Sequence, residues 1–151
     1  MKAVDGVDIS VGRGDSVAMV GESGCGKSTL AYSVMRLMDP PGKIVDGRVL
    51  FEGQDILQLP ESQFRKIRGS KIGMIFQDPM TFLNPVMKCG DQIREAIAQH
   101  TEVSKSEAKR KAIEALKTVR IPDAERIYGY YPHQLSGGMR QRVVTAIAIS
   151  C

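Results

Sequence analysis

Residues 21–29 read GESGCGKST, which matches the pattern G-x-x-x-x-G-K-[ST]. Glycine lets the backbone form turns that are closed to residues with a Cβ atom, and it lets the backbone approach an anion closely. Successive N–H groups then point into one concavity, where a phosphate group can bind. We therefore predict a phosphate-binding loop at this position, shaped by Gly21, Gly24 and Gly26.

The segments on either side of the loop support this prediction. Residues 16–20 (SVAMV) are a short apolar run that predicts a strand, and residues 30–38 (LAYSVMRLM) have helical spacing. Strand, glycine-rich loop and helix is the order that such a loop requires. A helix beginning near Lys27 would add the positive end of its dipole. The Lys27 ammonium is expected to reach the β- and γ-phosphate oxygens, and the Ser28 hydroxyl to ligate Mg²⁺.

The composition is typical of a soluble globular domain. Of the 151 residues, 42% are hydrophobic and 25% are charged, which is enough for one domain with a core. No apolar run approaches the ~20 residues of a membrane-spanning helix, and the N-terminus lacks a secretory signal. The three cysteines are widely spaced without a CxxC pair, which favours a reducing compartment and argues against a structural metal site. Cys25 is interpreted as a small filler within the loop.

The net charge is +4, and much of the basic excess lies in residues 104–120 (SKSEAKRKAIEALKTVR). A nucleic-acid-binding patch is one interpretation of this segment. An apolar stripe at helical spacing, from Ala108 to Val119, favours the other interpretation, an amphipathic helix whose charges face solvent. Ser104 and Glu107 have the spacing of a capping box at its start.

The rest of the chain predicts a mixed α/β half followed by a helical half. Residues 3–20 alternate around the turn GRGD and predict a β-hairpin. The other predicted elements are a strand-rich stretch at 47–56 with a turn at Gly53, a short helix at 60–68, a buried strand at 71–76, a loop at 78–86, helices at 91–100 and 104–120, an irregular connection at 121–134, and a helix from about Gly137.

A second motif, LSGGMRQR, occupies residues 135–142. Ser136 can cap a helix, while Gly137 and Gly138 allow a close approach to its backbone. This arrangement is a second helix N-terminus suited to an anion. By itself the motif is also compatible with an ordinary turn, since Ser-Gly-Gly turns are common.

Taken together, the two motifs resemble the nucleotide-binding domain of ABC transporters. Leu135 follows Lys27 by 108 residues, and the run MIFQ between them ends in Gln77, which matches the family's third element. The strings MIFQDPMTFLNP and YPHQLSGGMRQR are similar to ATPase subunits of bacterial dipeptide, oligopeptide and nickel importers. The resemblance implies an α/β P-loop NTPase core with an antiparallel β part and a helical subdomain. It further implies a partial domain, divided into residues 1–88 and 89–151.

The resemblance also implies ATP and Mg²⁺ as cofactors, with Lys27 and Gln77 in catalytic roles. Lys27 would hold the phosphates, Ser28 and Gln77 would ligate Mg²⁺, and Gln77 would sense the γ-phosphate. Residues of the second motif would close over the ATP of an opposing subunit. The residues implied to contact nucleotide are Gly21, Glu22, Ser23, Gly24, Cys25, Gly26, Lys27, Ser28, Thr29, Leu135, Ser136, Gly137, Gly138 and Gln141.

The implied function is the ATPase subunit of an importer, which couples ATP binding and hydrolysis to solute uptake. Such a subunit pairs head to tail with a second ATPase subunit, identical or different. Its loop Asp78–Pro85 would contact the transmembrane permease subunits. The implied location is cytoplasmic, peripheral on the inner face of the plasma membrane, and no nucleic-acid partner is expected.

The sequence departs from the family's pattern in several places. Phe82 stands where these importers usually carry serine, and His133 precedes the second motif, so it cannot serve as the family's switch histidine. An apolar strand ending in Asp-Glu, which should polarise the attacking water, is absent from the sequence. We therefore expect a truncated piece that binds nucleotide without hydrolysing it and that tends to aggregate. The alternatives are a soluble ABC-type ATPase acting on nucleic acid or ribosomes, and a non-catalytic nucleotide-binding module.

Overall fold

The computed structural model describes residues 2–77 and 82–151. The chain forms two compact units, Met1–Pro60 and Glu61–Cys151, which are described separately below. The sequence-based division at residues 88 and 89 stays a prediction. The elements are α1 (Lys27–Val34), β1 (Leu50–Phe51), β2 (Gln54–Asp55), α2 (Glu61–Ile67), α3 (Cys89–His100), α4 (Lys105–Thr118), α5 (Ala124–Tyr128), a 3₁₀ turn (Pro132–Gln134) and α6 (Gly137–Ile149).

In the first unit, β1 and β2 form an antiparallel hairpin in which Leu50 pairs with Asp55. The two turn residues between the strands, Glu52 and Gly53, both have positive φ angles, of 50° and 82°. Positive φ at both central residues defines the turn whose twist matches that of the flanking strands. The Asp55 carboxylate accepts the N–H groups of Val49 and Leu57 at 3.2 and 3.1 Å, which closes the base of the hairpin. The predicted turn at Gly53 is thus confirmed.

The β-hairpin predicted over residues 3–20 is wrong. The turn itself forms, because the Asp15 N–H donates to the Gly12 carbonyl at 3.1 Å and the Asp15 carboxylate accepts the Gly12 N–H at 2.8 Å. The flanking segments do not pair as strands, and their apolar side chains are exposed, Val20 to 92%. Apolar alternation predicts a strand, but a strand exists where another backbone segment closes its hydrogen bonds.

The strand predicted at residues 71–76 is also wrong for the same reason. Among residues 2–77 and 82–151, its one ladder contact is an isolated bridge between Ile72 and Arg68. Gly73 nevertheless matters for packing, because a Cβ atom there would lie 2.8 Å from the carbonyl oxygen of Ala148 in α6. The segment therefore runs against α6 at a distance that glycine permits.

The second unit is built on a core shared by α3, α4, α5 and α6. The predicted helices at 60–68, 91–100, 104–120 and from Gly137 are confirmed. On α4, Ala108, Ala112 and Leu116 are buried, as the apolar stripe predicts. Its N-cap Ser104 accepts the Glu107 N–H at 3.2 Å. The fully buried side chains of this core are Cys89, Ile93, Ile97, Ala112, Leu116, Val143 and Ala146.

The connection at 121–134, expected to be irregular, contains α5 and the 3₁₀ turn. A helix of five residues is too short to be stable alone. Burial of Ala124 and Ile127 in the core stabilises it, so packing overrides the weak local signal. The 3₁₀ turn is closed by the Gln134 amide oxygen, which accepts the Tyr131 N–H at 2.8 Å.

Among the described residues, the helices are all too short or too polar to cross a membrane.

The three cysteine thiols differ in accessibility, and this predicts their reactivity. Cys25 and Cys151 are exposed, whereas Cys89 is completely buried and its burial raises the pKa of the thiol to about 11. Because the thiolate is the reactive form, we expect an alkylating reagent near neutral pH to label Cys25 and Cys151 but spare Cys89. Mass spectrometry of the labelled peptides measures this. Denatured protein, in which all three should react, is the control, and rapid labelling of native Cys89 would contradict the packing of α3.

Candidate functional site

The loop of the first motif owes its shape to glycine. Gly24 and Gly26 have φ angles of 82° and 93°, in the left-handed region that residues with a Cβ atom rarely adopt. A Cβ atom on Gly26 would also lie 2.5 Å from the carbonyl oxygen of Ala3. A Cβ atom on Gly21 would lie 2.7 Å from the sulfur of Cys25. Backbone conformation and close packing thus account for the glycines at these three positions.

The Lys27 side chain folds back onto the loop. Its ammonium donates to the carbonyl oxygens of Gly21 and Glu22, both at 2.6 Å, and lies 3.3 Å from the Cys25 sulfur. These contacts hold a positive charge against the loop backbone. When the ammonium releases one of these carbonyls, it can donate a charge-assisted hydrogen bond to an anion bound in the loop.

Helix α1 begins immediately after the loop, at Lys27, and its N-cap Gly26 has no side chain to cap it. The first N–H groups of a helix have no partner within the helix, so those of the first turn of α1 are available as donors. They coincide with the positive end of the helix dipole. Ser28 is exposed in this turn, and Thr29 is half-buried. Loop, ammonium and helix start therefore form an arrangement that suits a phosphate group.

The second motif is held by contacts within its own segment. The Leu135 side chain is buried, and its carbonyl accepts the Arg140 Nε–H at 3.0 Å. Ser136 is the N-cap of α6, and its hydroxyl accepts the Met139 N–H at 3.3 Å. Arg140 lies within this motif but is not among the predicted site residues. Its hydrogen bond to the Leu135 carbonyl fixes the backbone that leads into α6.

The two glycines of the second motif are open. Gly137 and Gly138 are exposed, and within the described part of the chain a Cβ atom at either position would meet nothing within 4 Å besides its chain neighbours and the backbone of its own helix. Neither has a positive φ angle. Gln141, one turn further along α6, is also exposed. Neither packing nor backbone conformation explains these glycines, so the start of α6 presents bare backbone that a ligand could approach.

The predicted site residues fall into both units. The loop from Gly21 to Thr29 belongs to Met1–Pro60, whereas Gln77 and the second motif belong to Glu61–Cys151. Within the first unit, Gly21, Glu22, Cys25 and Lys27 are in direct contact. Glu22 and Ser23 are exposed, as is Gln77. Of the predicted loop Asp78–Pro85, residues 78–81 lie outside the described part of the chain.

Phe82 and Phe76 stack at this loop, with their ring centroids 3.9 Å apart and an interplanar angle of 10°. Phe82 is 46% exposed and Val86 is 79% exposed.

His133, excluded above from the switch role, is exposed and stacks on Tyr131.

Comparison with known protein families and sequences gives a consistent result. A family model described as "ABC transporter" matches residues 4–151. The oligopeptide transport ATP-binding protein AppD of Bacillus subtilis is 50% identical over 150 residues, which are 99% of this chain and 46% of that protein. The dipeptide transport ATP-binding protein DppD of Bacillus subtilis is 47% identical over 152 residues, 100% of this chain and 45% of that protein. The chain thus spans just under half the length of these relatives.

Among solved structures, the ATP-binding cassette MJ0796 is similar in fold. Its dimeric post-hydrolysis structure bound to ADP and Pi matches 98% of this chain and 61% of that chain, with a TM-score of 0.83 and 29% sequence identity. A second dimeric structure of MJ0796 matches 85% of this chain and 53% of that chain, with a TM-score of 0.71. The predicted P-loop NTPase fold class is therefore confirmed.

The open glycines of α6 predict the outcome of a substitution there. Alanine is a better helix former than glycine, and the space at Gly138 is free. Gly138→Ala should therefore raise the free energy of unfolding by up to ~1 kcal/mol. Gly26→Ala is the contrasting variant and should lower it, because that residue has a positive φ angle and faces Ala3. Denaturant unfolding of both variants measures this, and a loss of stability in Gly138→Ala would show that the fold itself requires this glycine.

Proposed function

Because the chain belongs to the ABC transporter family, we propose that it is the ATP-binding part of an importer's ATPase subunit. In that role it would couple ATP binding and hydrolysis to the uptake of dipeptides, oligopeptides or nickel. Two named relatives at 47–50% identity transport dipeptides and oligopeptides, which supports the peptide solutes. The observation that carries the proposal is the glycine-shaped loop at the start of α1, with the Lys27 ammonium lying on it.

Nucleotide binding is the first part of the proposal. The loop from Gly21 to Thr29 would hold the triphosphate with its N–H groups, and Lys27 would leave the carbonyls of Gly21 and Glu22 to contact phosphate oxygens. This exchange replaces two neutral acceptors by a charged one, and charge-assisted hydrogen bonds are the stronger kind. The similar cassette MJ0796 was solved with ADP and Pi, which supports a nucleotide as ligand.

Magnesium is the second part of the proposal. Mg²⁺ prefers oxygen ligands and is commonly held by one or two protein oxygens together with substrate phosphates. The exposed Ser28 hydroxyl, in the first turn of α1, fits this chemistry. Gln77 carries an exposed amide oxygen and is the second proposed ligand and γ-phosphate sensor. When bound, Mg²⁺ would neutralise charge on the phosphates.

Partners form the third part of the proposal. Two subunits would pair head to tail, and Leu135, Ser136, Gly137, Gly138 and Gln141 of one would close over the ATP of the other. The open glycines at the start of α6 support this assignment, because they leave space for a phosphate. The dimeric state of the cassette MJ0796 supports it as well.

The loop Asp78–Pro85 is the proposed contact for transmembrane permease subunits. Phe82, which stacks on Phe76, and Val86, just after the loop, are exposed apolar side chains that support this proposal. Through this contact the subunit would lie on the inner, cytoplasmic face of the plasma membrane.

Substitution of Lys27 tests nucleotide binding. Lys27→Ala removes the charge-assisted contact and should weaken Mg-ATP binding at least ~10-fold, or about 1.4 kcal/mol. Isothermal titration calorimetry of wild type and variant measures the affinity. Lys43→Ala is the control, because Lys43 is an exposed lysine of the same unit outside the loop. Equal affinities of wild type and Lys27→Ala would overturn the assignment of the loop.

Substitution of Ser28 tests the metal assignment separately. Ser28→Ala removes one proposed Mg²⁺ ligand and leaves the Lys27 ammonium in place. We expect the affinity for ATP to lose most of its dependence on Mg²⁺ in this variant, while binding of ATP in the presence of a chelator stays unchanged. Titrations with and without Mg²⁺ measure the two affinities. An unaltered Mg²⁺ dependence would remove Ser28 from the proposed metal site.

A further inference from the structure

Gln92, in the first turn of α3, is the one buried polar residue among the residues that the structure describes. Its side-chain amide forms hydrogen bonds with the backbone of the segment that precedes α3. The Oε1 atom accepts the Asn84 N–H at 3.0 Å, and the Nε2 atom donates to the carbonyl oxygens of Asn84 and Met87, each at 3.0 Å. Both amide hydrogens are therefore satisfied by backbone.

The segment that Gln92 binds is a compact turn, residues 84–87. The Met87 N–H donates to the Asn84 carbonyl at 3.2 Å, and the Val86 N–H donates to the Asn84 side chain at 3.1 Å. Leu83, just before the turn, is buried in the helical core. The backbone of the turn thus faces inward onto Gln92, while the Val86 side chain is 79% exposed.

Detachment of this turn from α3 would carry a free-energy cost. If residues 84–87 moved away, the Gln92 amide would stay buried without its three partners, and an unsatisfied buried amide is destabilising. The three bonds are therefore expected to break together or not at all. We therefore expect residues 84–87 to move with α3 as one body.

Helix α3 is in turn fixed to the helix that carries the second motif. Ile93 and Ile97 of α3 share their core with Val143 and Val144 of α6. The start of α3 is also tied to the α5 region, since the Cys89 N–H donates to the Tyr130 carbonyl at 2.8 Å. A displacement of the turn is thereby passed to close-packed helices, which transmit strain because interiors have low compressibility.

We propose that Gln92 is a positioning residue that fixes the end of the Asp78–Pro85 loop to α3, so that a partner pressing on this loop moves the α6 start. The inference rests on the proposed function in one respect, namely that the loop contacts a permease. Gln92 touches neither nucleotide nor permease in this scheme. It acts through the backbone of Asn84 and Met87.

Amide hydrogen exchange of the assembled subunit tests the attachment without reference to nucleotide. Gln92→Met keeps a side chain of similar length but has no amide, so the Asn84 N–H should lose at least ~10-fold in protection. The Leu116 N–H in α4 should keep its protection. Ile97→Val is the matched control. It shortens a side chain on the same helix, at a position away from the turn, and should leave the Asn84 N–H protected. An unchanged exchange rate of Asn84 in Gln92→Met would overturn the proposal.

A second variant keeps the test decisive if Gln92→Met does not fold. In Gln92→Glu the carboxylate retains an acceptor for the Asn84 N–H but cannot donate to the two carbonyls. Protonation restores one donor. After correction for intrinsic exchange, protection of Asn84 should therefore rise as the pH falls through the carboxyl pKa. Protection that stays the same over this range would contradict the role assigned to the Gln92 donors.

The consequence for coupling is measured in the subunit assembled with its permease. In Gln92→Met, the affinity for Mg-ATP should stay within about twofold of wild type, while the permease-dependent stimulation of ATP hydrolysis should fall at least ~5-fold. Ile97→Val should retain both. Full stimulation in Gln92→Met would overturn the inference. Failure of the wild-type subunit to bind Mg-ATP would instead overturn the proposed function, and the exchange result on Asn84 would remain valid.

Discussion

The N–H groups at the start of an α-helix lack partners within the helix, and this constraint organises the molecule. Three helices meet it in two ways, by a serine cap in α4 and α6 and without a side-chain cap in α1. In α4 the Ser104 hydroxyl accepts the Glu107 N–H, so the helix start is closed by its own sequence. In α1 the N-cap is Gly26, which has no side chain to offer, and the Lys27 ammonium lies on the loop that precedes the helix. In α6 Ser136 caps Met139, while the two glycines leave the approach free. In α1 the N-cap has no side chain, and in α6 two glycines follow the capping serine. Helix starts of this kind suit the proposed nucleotide role.

The helical core supplies the rigidity that such a role needs. Helices α3, α4, α5 and α6 share one apolar cluster, and the buried Gln92 attaches the turn at residues 84–87 to it. Buried polar groups are tolerated when every hydrogen bond is made, and they then specify a single arrangement. In the proposed importer, the same arrangement would join the permease-contacting loop to the helix that faces the partner's ATP. The exposed Val86 and Phe82 side chains would provide the contact, and the inward-facing backbone would provide the attachment.

The elements of this fold differ in how far their local sequence predicts them, and the difference has physical causes. Helices α3 and α4 were predictable because their backbone hydrogen bonds are local and each carries an apolar residue every three or four positions, on the face that the core buries. Helix α6 was predictable from the capping residue Ser136 at its start. The hairpin β1–β2 was predictable because its turn needs positive φ angles, which Gly53 provides next to Glu52. The segments 3–20 and 71–76 carry equally strong apolar patterns, yet they do not form ladders. Strand formation depends on a partner that lies elsewhere in the chain, and a local pattern contains no information about that partner. Helix α5 was missed for the opposite reason, since its stability comes from the burial of Ala124 and Ile127.

By itself, the sequence determined the family, the phosphate-loop pattern and the position of both motifs, because these depend on residue identity at fixed local spacing. The motif places glycine at positions 24 and 26 and lysine at position 27. Their expected roles depend only on local backbone geometry and charge. Tertiary structure decided what those residues touch. The approach of Ala3 to Gly26, the contact between Arg140 and the Leu135 carbonyl, and the clamp of Gln92 on Asn84 and Met87 all require packing against other segments. In the sequence Gln92 is an ordinary polar residue at a helix start, and its burial alone turns it into a structural link, because a buried amide must find its partners within the fold.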